Sequence, residues 1–168
     1  MVGRGYHIAL AREHAKRVFG QKDDESLRAF LQELITAPEM IKSGRVLNTG
    51  KAWNAIHRCL TEGELDPTAG DFPLNQVVLG GKQLHQGDDY AAVLIRPDMT
   101  TFVSEALNGI KEPEFRAKFF ALDPASYKLP MDEKAFLEVW LAITNLRVFF
   151  DAAAENMEAV LFTAKYNE

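Results

Sequence analysis

Residues 136–150 read FLEVWLAITNLRVFF, and residues 159–166 read AVLFTAKY. In the first stretch Phe136, Val139, Trp140, Ile143, Leu146 and Phe150 recur at steps of three and four, continuing to Ala153, the spacing of one helical face. Leu137, Leu141, Val148 and Phe149 widen that stripe beyond a simple amphipathic face, so the spacing predicts a helix, or a pair broken near Thr144-Asn145, lying deep in a core. The second stretch is β-prone and too apolar to be left in water. It is predicted to pair inside a sheet. A long helix leading into a sheet strand places the chain in the α+β class.

Working outward, Tyr6, Ile8 and Leu10 alternate with His7 and Ala9, which predicts a short strand with one buried face. Residues 11–19 read as a helix, and Leu27, Phe30, Leu31, Leu34 and Ile35 mark a second that ends at Thr36-Ala37-Pro38. Ala52, Ala55, Ile56, Cys59 and Leu60 form the stripe of a third, with Asn48 or Thr49 as its N-cap and Gly63 as its stop. The β-prone runs 74–79 and 90–95 flank Gly80-Gly81 and Gly87-Asp88-Asp89 and predict two adjacent strands. Pro97 opens another helix, carried by Met99, Phe102, Val103, Ala106, Leu107 and Ile110 and closed by Gly109 and Pro113. Residues 114–120 add a short helix before a loop punctuated by Asp123-Pro124 and Leu129-Pro130. The sum is a small mixed or antiparallel sheet of about four strands packed against several helices. With 168 residues and no linker-like tract, one domain spanning residues 1–168 is expected.

The composition, 47% apolar and 26% charged, is that of a globular protein with a packed core. The opening residues lack a continuous apolar stretch after a basic start, so no cleaved secretion signal is expected. The run 136–150 is broken by Glu138, Asn145 and Arg147 and is too short for a bilayer, so no membrane association is expected. Cys59 is the only cysteine, which excludes an intramolecular disulfide and fits a reducing, cytoplasmic compartment. A net charge of −5 disfavours nucleic acid as a partner. Residues 1–22 hold Arg4, Arg12, Lys16, Arg17 and Lys22 against Glu13 alone, but these charges are dispersed as on a solvated helix face.

Familiar reactive centres are not written here. Gly44 and Gly50-Lys51-Ala52 fail the phosphate-loop pattern twice, because five residues separate the glycines and Ala52 stands where a hydroxyl is needed. His7, His14, His57 and His85 show no metal-sharing spacing, and Asp66, Asp71, Asp88 and Asp89 do not match a calcium loop, so no metal and no cofactor are expected. Cys59 lies on a core stripe and reads as a buried hydrophobe. What remains is Lys51, Trp53, Asn54, His57 and Arg58 on one helix, where Trp53 and His57 share a face. An indole beside an imidazole either floors a pocket or packs at the core edge with its nitrogen satisfied by a carbonyl; packing is the commoner outcome.

The runs 5–10 (GYHIAL), 51–63 (KAWNAIHRCLTEG), and Pro73-Leu74 leading into Val78-Leu79-Gly80-Gly81 resemble the bacterial YfbM-like proteins across nearly the whole chain. That resemblance implies a small cytoplasmic α+β protein of unknown function and supplies no reaction and no established catalytic residue. It singles out Trp53, His57 and the Gly80-Gly81 turn. Two functions are expected in competition. One is a non-catalytic binding domain for a protein or small-molecule ligand. The other is a small-molecule enzyme with its pocket between the Trp53/His57 helix and the Gly80-Gly81 turn, using His57 as general acid or base. Tyr6, Lys51 and Tyr90 join it as ligand-binding candidates by residue type.

Overall fold

The structure, a computed structural model, describes residues 2–167. The elements run β1 (Gly5–Leu10), α1 (Arg12–Phe19), α2 (Asp24–Thr36), α3 (Pro38–Lys42), β2 (Val46–Gly50) and α4 (Ala52–Leu60). A 3-10 turn (Leu74–Gln76) follows, then β3 (Lys82–Gln83), β4 (Tyr90–Ile95), α5 (Pro97–Asn108), α6 (Glu112–Phe120), α7 (Pro124–Tyr127), α8 (Glu133–Glu155) and β5 (Ala159–Lys165). The fold is α+β, with one antiparallel sheet in the order β2-β1-β5-β4-β3.

β5 lies at the centre, pairing with β1 on one side and β4 on the other, and all of its residues but Lys165 are buried. Helices cover both faces of the sheet. On one, His7, Ala9, Val93, Val160 and Phe162 meet Trp53 and Ile56 of α4, Val103 and Leu107 of α5, Phe119 of α6 and the inner side of α8. On the other, Ile8, Leu10, Leu94 and Leu161 meet Val18 of α1, Phe30, Leu31 and Leu34 of α2 and Met40 of α3. The period-two pattern of β1 therefore does not separate a wet face from a dry one. His7 is fully buried because a sheet sandwiched between helices has no solvent side.

Local chemistry explains most element ends. Asp23 and Ser26 form a capping box at α2, Asp132 accepts from the Ala135 amide at α8, and Pro97 takes the first turn of α5. Other expectations are corrected. Residues 74–79 are not a strand: they form the 3-10 turn and a tight bend that buries Val77, Val78 and Leu79 against the core, closed by the Gly80 amide donating to the Asn75 carbonyl at 2.8 Å. The strand beside β4 is the two-residue β3 instead. β2 was not anticipated; it contains Asn48 and Thr49, so neither caps α4, which is preceded directly by Lys51. Asp123-Pro124 opens the short helix α7, with the Asp123 side chain capping it. α8 is one unbroken helix, but Leu137, Leu141 and Val148 face outward, because a helix lying on a sheet buries only one stripe.

Phe162 joins the two ends of the chain: its ring centroid lies 4.9 Å from that of His7 and 5.3 Å from that of Trp53. Gly5 makes this approach possible, since a Cβ there would stand 2.5 Å from Trp53 Cδ1. Phe162→Ala is expected to lower the unfolding free energy by about 3–5 kcal/mol, the range for truncating a buried aromatic side chain. Urea denaturation measures it, and a loss below about 1 kcal/mol would contradict a central role for this contact.

Candidate functional site

The residues singled out by sequence do not converge on one place. α4 carries the first group. Trp53 and His57 share a face as the spacing requires, and both are buried in the core. The Trp53 indole Nε1–H donates to the Gly3 carbonyl at 2.9 Å, and His57 Nε2–H donates to the Asp66 carbonyl at 2.7 Å. A carbonyl only accepts, so this bond requires a proton on Nε2 and leaves Nδ1 of the neutral ring as a bare acceptor, buried and without a partner among the described residues. Burial lowers the His57 pKa, opposed by the Asp66 carbonyl, so the ring stays neutral at physiological pH. The imidazole at 1% exposure is in the core-edge position, with Nε2 satisfied by backbone.

Arg58, next along α4, is also buried and has no carboxylate within ion-pair distance among the described residues. Its Nε donates to Asn54 Oδ1 at 2.7 Å, and its terminal nitrogens to Ser126 Oγ at 2.9 Å, the Gly63 carbonyl at 3.2 Å and the Ser126 carbonyl at 3.4 Å. The guanidinium thus holds the loop after α4 to α7. The Gly80-Gly81 turn is likewise set by close packing: a Cβ at Gly80 would lie 2.3 Å from the Asn75 carbonyl oxygen, and one at Gly81 2.5 Å from that of Leu94. Both positions need glycine for backbone approach.

Lys51 stands elsewhere, at the start of α4, where it lines a cavity of about 530 Å³ with Thr49, Gly50, Tyr127 and the first turns of α8.

Tyr6 and Tyr90 form the third group, on the opposite face of the sheet from Trp53 and His57. Tyr6 in β1 pairs directly with Thr163 in β5, Thr163 pairs with Ala92 in β4, and Tyr90 lies two residues from Ala92 on the same face. Strand register therefore brings two tyrosines to flank one threonine, under Gln32 and Ile35 of α2, with Arg4 and Lys165 at the rim. The groove holds about 180 Å³. Thr163 is 1% exposed, and its hydroxyl oxygen sits beside the Tyr90 phenol without completing a hydrogen bond of normal geometry. Burial raises the Tyr90 pKa, with Thr163 and Arg28 opposing, so the phenol remains neutral. The ring is held in place by the Arg28 guanidinium 4.5 Å above it and by His85 at 5.2 Å, while Arg28 pairs with Asp89 at 2.5 Å. Thr163, Gln32, Ile35 and Arg4 were not singled out by sequence, although a lone hydroxyl inside AVLFTAKY is the one polar interruption of that strand's buried run.

An antiparallel sheet between two helical layers places this protein in the α+β class. Residues 1–163 match the family described as Domain of unknown function (DUF1877), and the chain belongs to that family. The crystal structure of YfbM from Escherichia coli, described as a protein of unknown function, is similar with a TM-score of 0.69 at 19% sequence identity, over 98% of this chain and 99% of that one. At that identity the likeness concerns the fold. No curated protein matches the chain.

His7 gives the stability of the sheet a pH dependence. Its Nε2–H donates to the Val77 carbonyl at 2.7 Å, and complete burial lowers its pKa from 6.5 to about 4. The unfolded chain binds a proton below pH 6.5 that the folded chain refuses until about pH 4, so stability falls as pH drops through this window. The loss is expected to reach about 3 kcal/mol, with His57 adding in the same direction. Urea unfolding of wild type and His7→Gln across this window measures it. The variant's profile should be flatter, and parallel profiles would remove His7 as the cause.

Proposed function

We propose that this protein is a non-catalytic binding domain whose ligand occupies the groove between Tyr6 and Tyr90. The observation that carries this reading is the Thr163 hydroxyl, buried in the groove floor with the Tyr90 phenol beside it and no hydrogen bond of normal geometry among the described residues. A buried polar group without a partner costs about 1–3 kcal/mol, and a hydroxyl of the ligand supplies the missing partner. The groove has the volume of roughly six water molecules, which suits a single substituted ring. Tyrosine walls favour a flat or ring-shaped body, and Arg4 and Lys165 at the rim favour an acidic substituent. The alternative, an enzyme using His57 as general acid or base, is less well supported, because that imidazole is sealed and its Nε2 is committed to Asp66. Cys59, buried with its thiol pKa pushed up to about 12, is inert and compatible with action in a bacterial cytoplasm. The net charge of −5 weighs against a nucleic-acid partner.

Titration of isotope-labelled protein with 4-hydroxybenzoate, phenol and benzoate at millimolar concentration tests the proposal by nuclear magnetic resonance. Amide signals of Tyr6, Gln32, Tyr90 and Thr163 should shift together while those of Trp53 and His57 stay fixed. Thr163→Val should leave stability unchanged or raise it by about 1 kcal/mol, since it removes an unpaired hydroxyl at constant shape. The same substitution should weaken the hydroxylated probes about tenfold, the equivalent of one hydrogen bond. Fixed groove signals with all three probes would end the proposal.

A further inference from the structure

α8 has a second face that nothing in the described chain covers. Positions 134, 137, 138, 141, 144, 145, 148, 151, 152 and 155 are all exposed, recurring at steps of three and one along the helix side opposite its buried stripe. On that side Leu137 is 52%, Leu141 60% and Val148 70% exposed, so three large apolar side chains lie in one row on the longest helix of the structure. Lys134 stands at the start of the row and Glu155 at its end, and neither takes part in an ion pair among the described residues.

We propose that this face pairs with the same face of a second copy of the chain, as an antiparallel helix pair about a two-fold axis. The row is complementary to itself in that arrangement. With the axis between Thr144 and Asn145, Leu141 meets the partner's Val148, Leu137 meets the partner's Ala152, and Lys134 meets the partner's Glu155; each contact occurs twice, as an isologous interface requires. Thr144 and Ala152 are small and allow the helices to approach to the usual 8–10 Å. One acidic pair, Glu138 with the partner's Asp151, falls in the same register. The Asp151 carboxylate is turned away from the seam, accepting from Ser104 Oγ at 2.5 Å and Asn108 Nδ2 at 2.8 Å on α5. Antiparallel alignment also sets the helix dipoles side by side in opposition, the positive end of one beside the negative end of the other, whereas a parallel pair stacks Lys134 on Lys134 and Glu155 on Glu155. Because few apolar side chains are involved, the association is weak, with a dissociation constant of roughly 10–100 μM. This interface is independent of the tyrosine groove, which lies across the sheet from α8.

Sedimentation of the full chain from about 5 to about 500 μM tests the inference, and wild type should pass from monomer to dimer in that range. Leu141→Glu should remain monomeric with an unchanged melting temperature, since the side chain touches no core. Lys134→Glu should weaken the dimer about tenfold, and adding Glu155→Lys to it should restore wild-type association, because the two charges meet only across the interface. A wild type that stays monomeric throughout overturns the inference, as does a Leu141→Glu protein that still dimerises. Failure of the charge exchange to restore association overturns the antiparallel pairing.

Discussion

The central position of β5 is the constraint on which the other features depend. β1 and β4 both pair with β5 and not with each other, so three of the five strands meet only once the sequence-distant Ala159–Lys165 segment lies between them. This arrangement has a high contact order, with residues near 6 and 163 directly opposed. It also requires two-sided burial, since a central strand carrying Val160 and Phe162 on one face and Leu161 on the other needs a helical layer on each.

Two-sided burial then dictates how the polar groups behave. His7, His57 and Trp53 are enclosed, and each turns one ring N–H to a backbone carbonyl from a distant segment: Val77, Asp66 and Gly3. Arg58 does the same with several acceptors at once. These side chains fasten irregular segments that no sheet ladder holds, which is why buried charge and imidazole persist in a core of aromatic and aliphatic groups. Thr163 differs. Its hydroxyl lies on the helix-covered face, reaches no such carbonyl, and sits beside the Tyr90 phenol in the floor of the groove.

Much of the architecture was legible in the sequence because helical periodicity is a local property. The helices α2, α4 and α5 and the largely apolar strand β5 were read from spacing alone, although Phe102, placed on the α5 stripe, is exposed. The failures share one cause. Val77, Val78 and Leu79 looked like strand because they are apolar and branched, but they are buried as a bend packed against α4 and α5, and apolar content does not distinguish the two. Leu137, Leu141 and Val148 looked like core because a run so apolar is normally enclosed, while only the placement of α8 on the sheet shows which stripe is covered. β2, with Asn48 and Thr49, carries too little apolar signal to announce itself and exists because β1 offers an edge.

For the candidate residues the division is the same. The sequence by itself determined the α+β class, the amphipathic faces, and the sharing of one helix face by Trp53 and His57, because these follow from backbone periodicity and side-chain type over a few neighbouring positions. Only the tertiary structure decided that this pair is enclosed, that Tyr6 and Tyr90 meet across β5 around Thr163, and that Lys51 belongs to a different cavity. Those outcomes rest on strand order and register, which arise from contacts between residues far apart in the chain, as between Tyr6 and Thr163, and no local spacing encodes them.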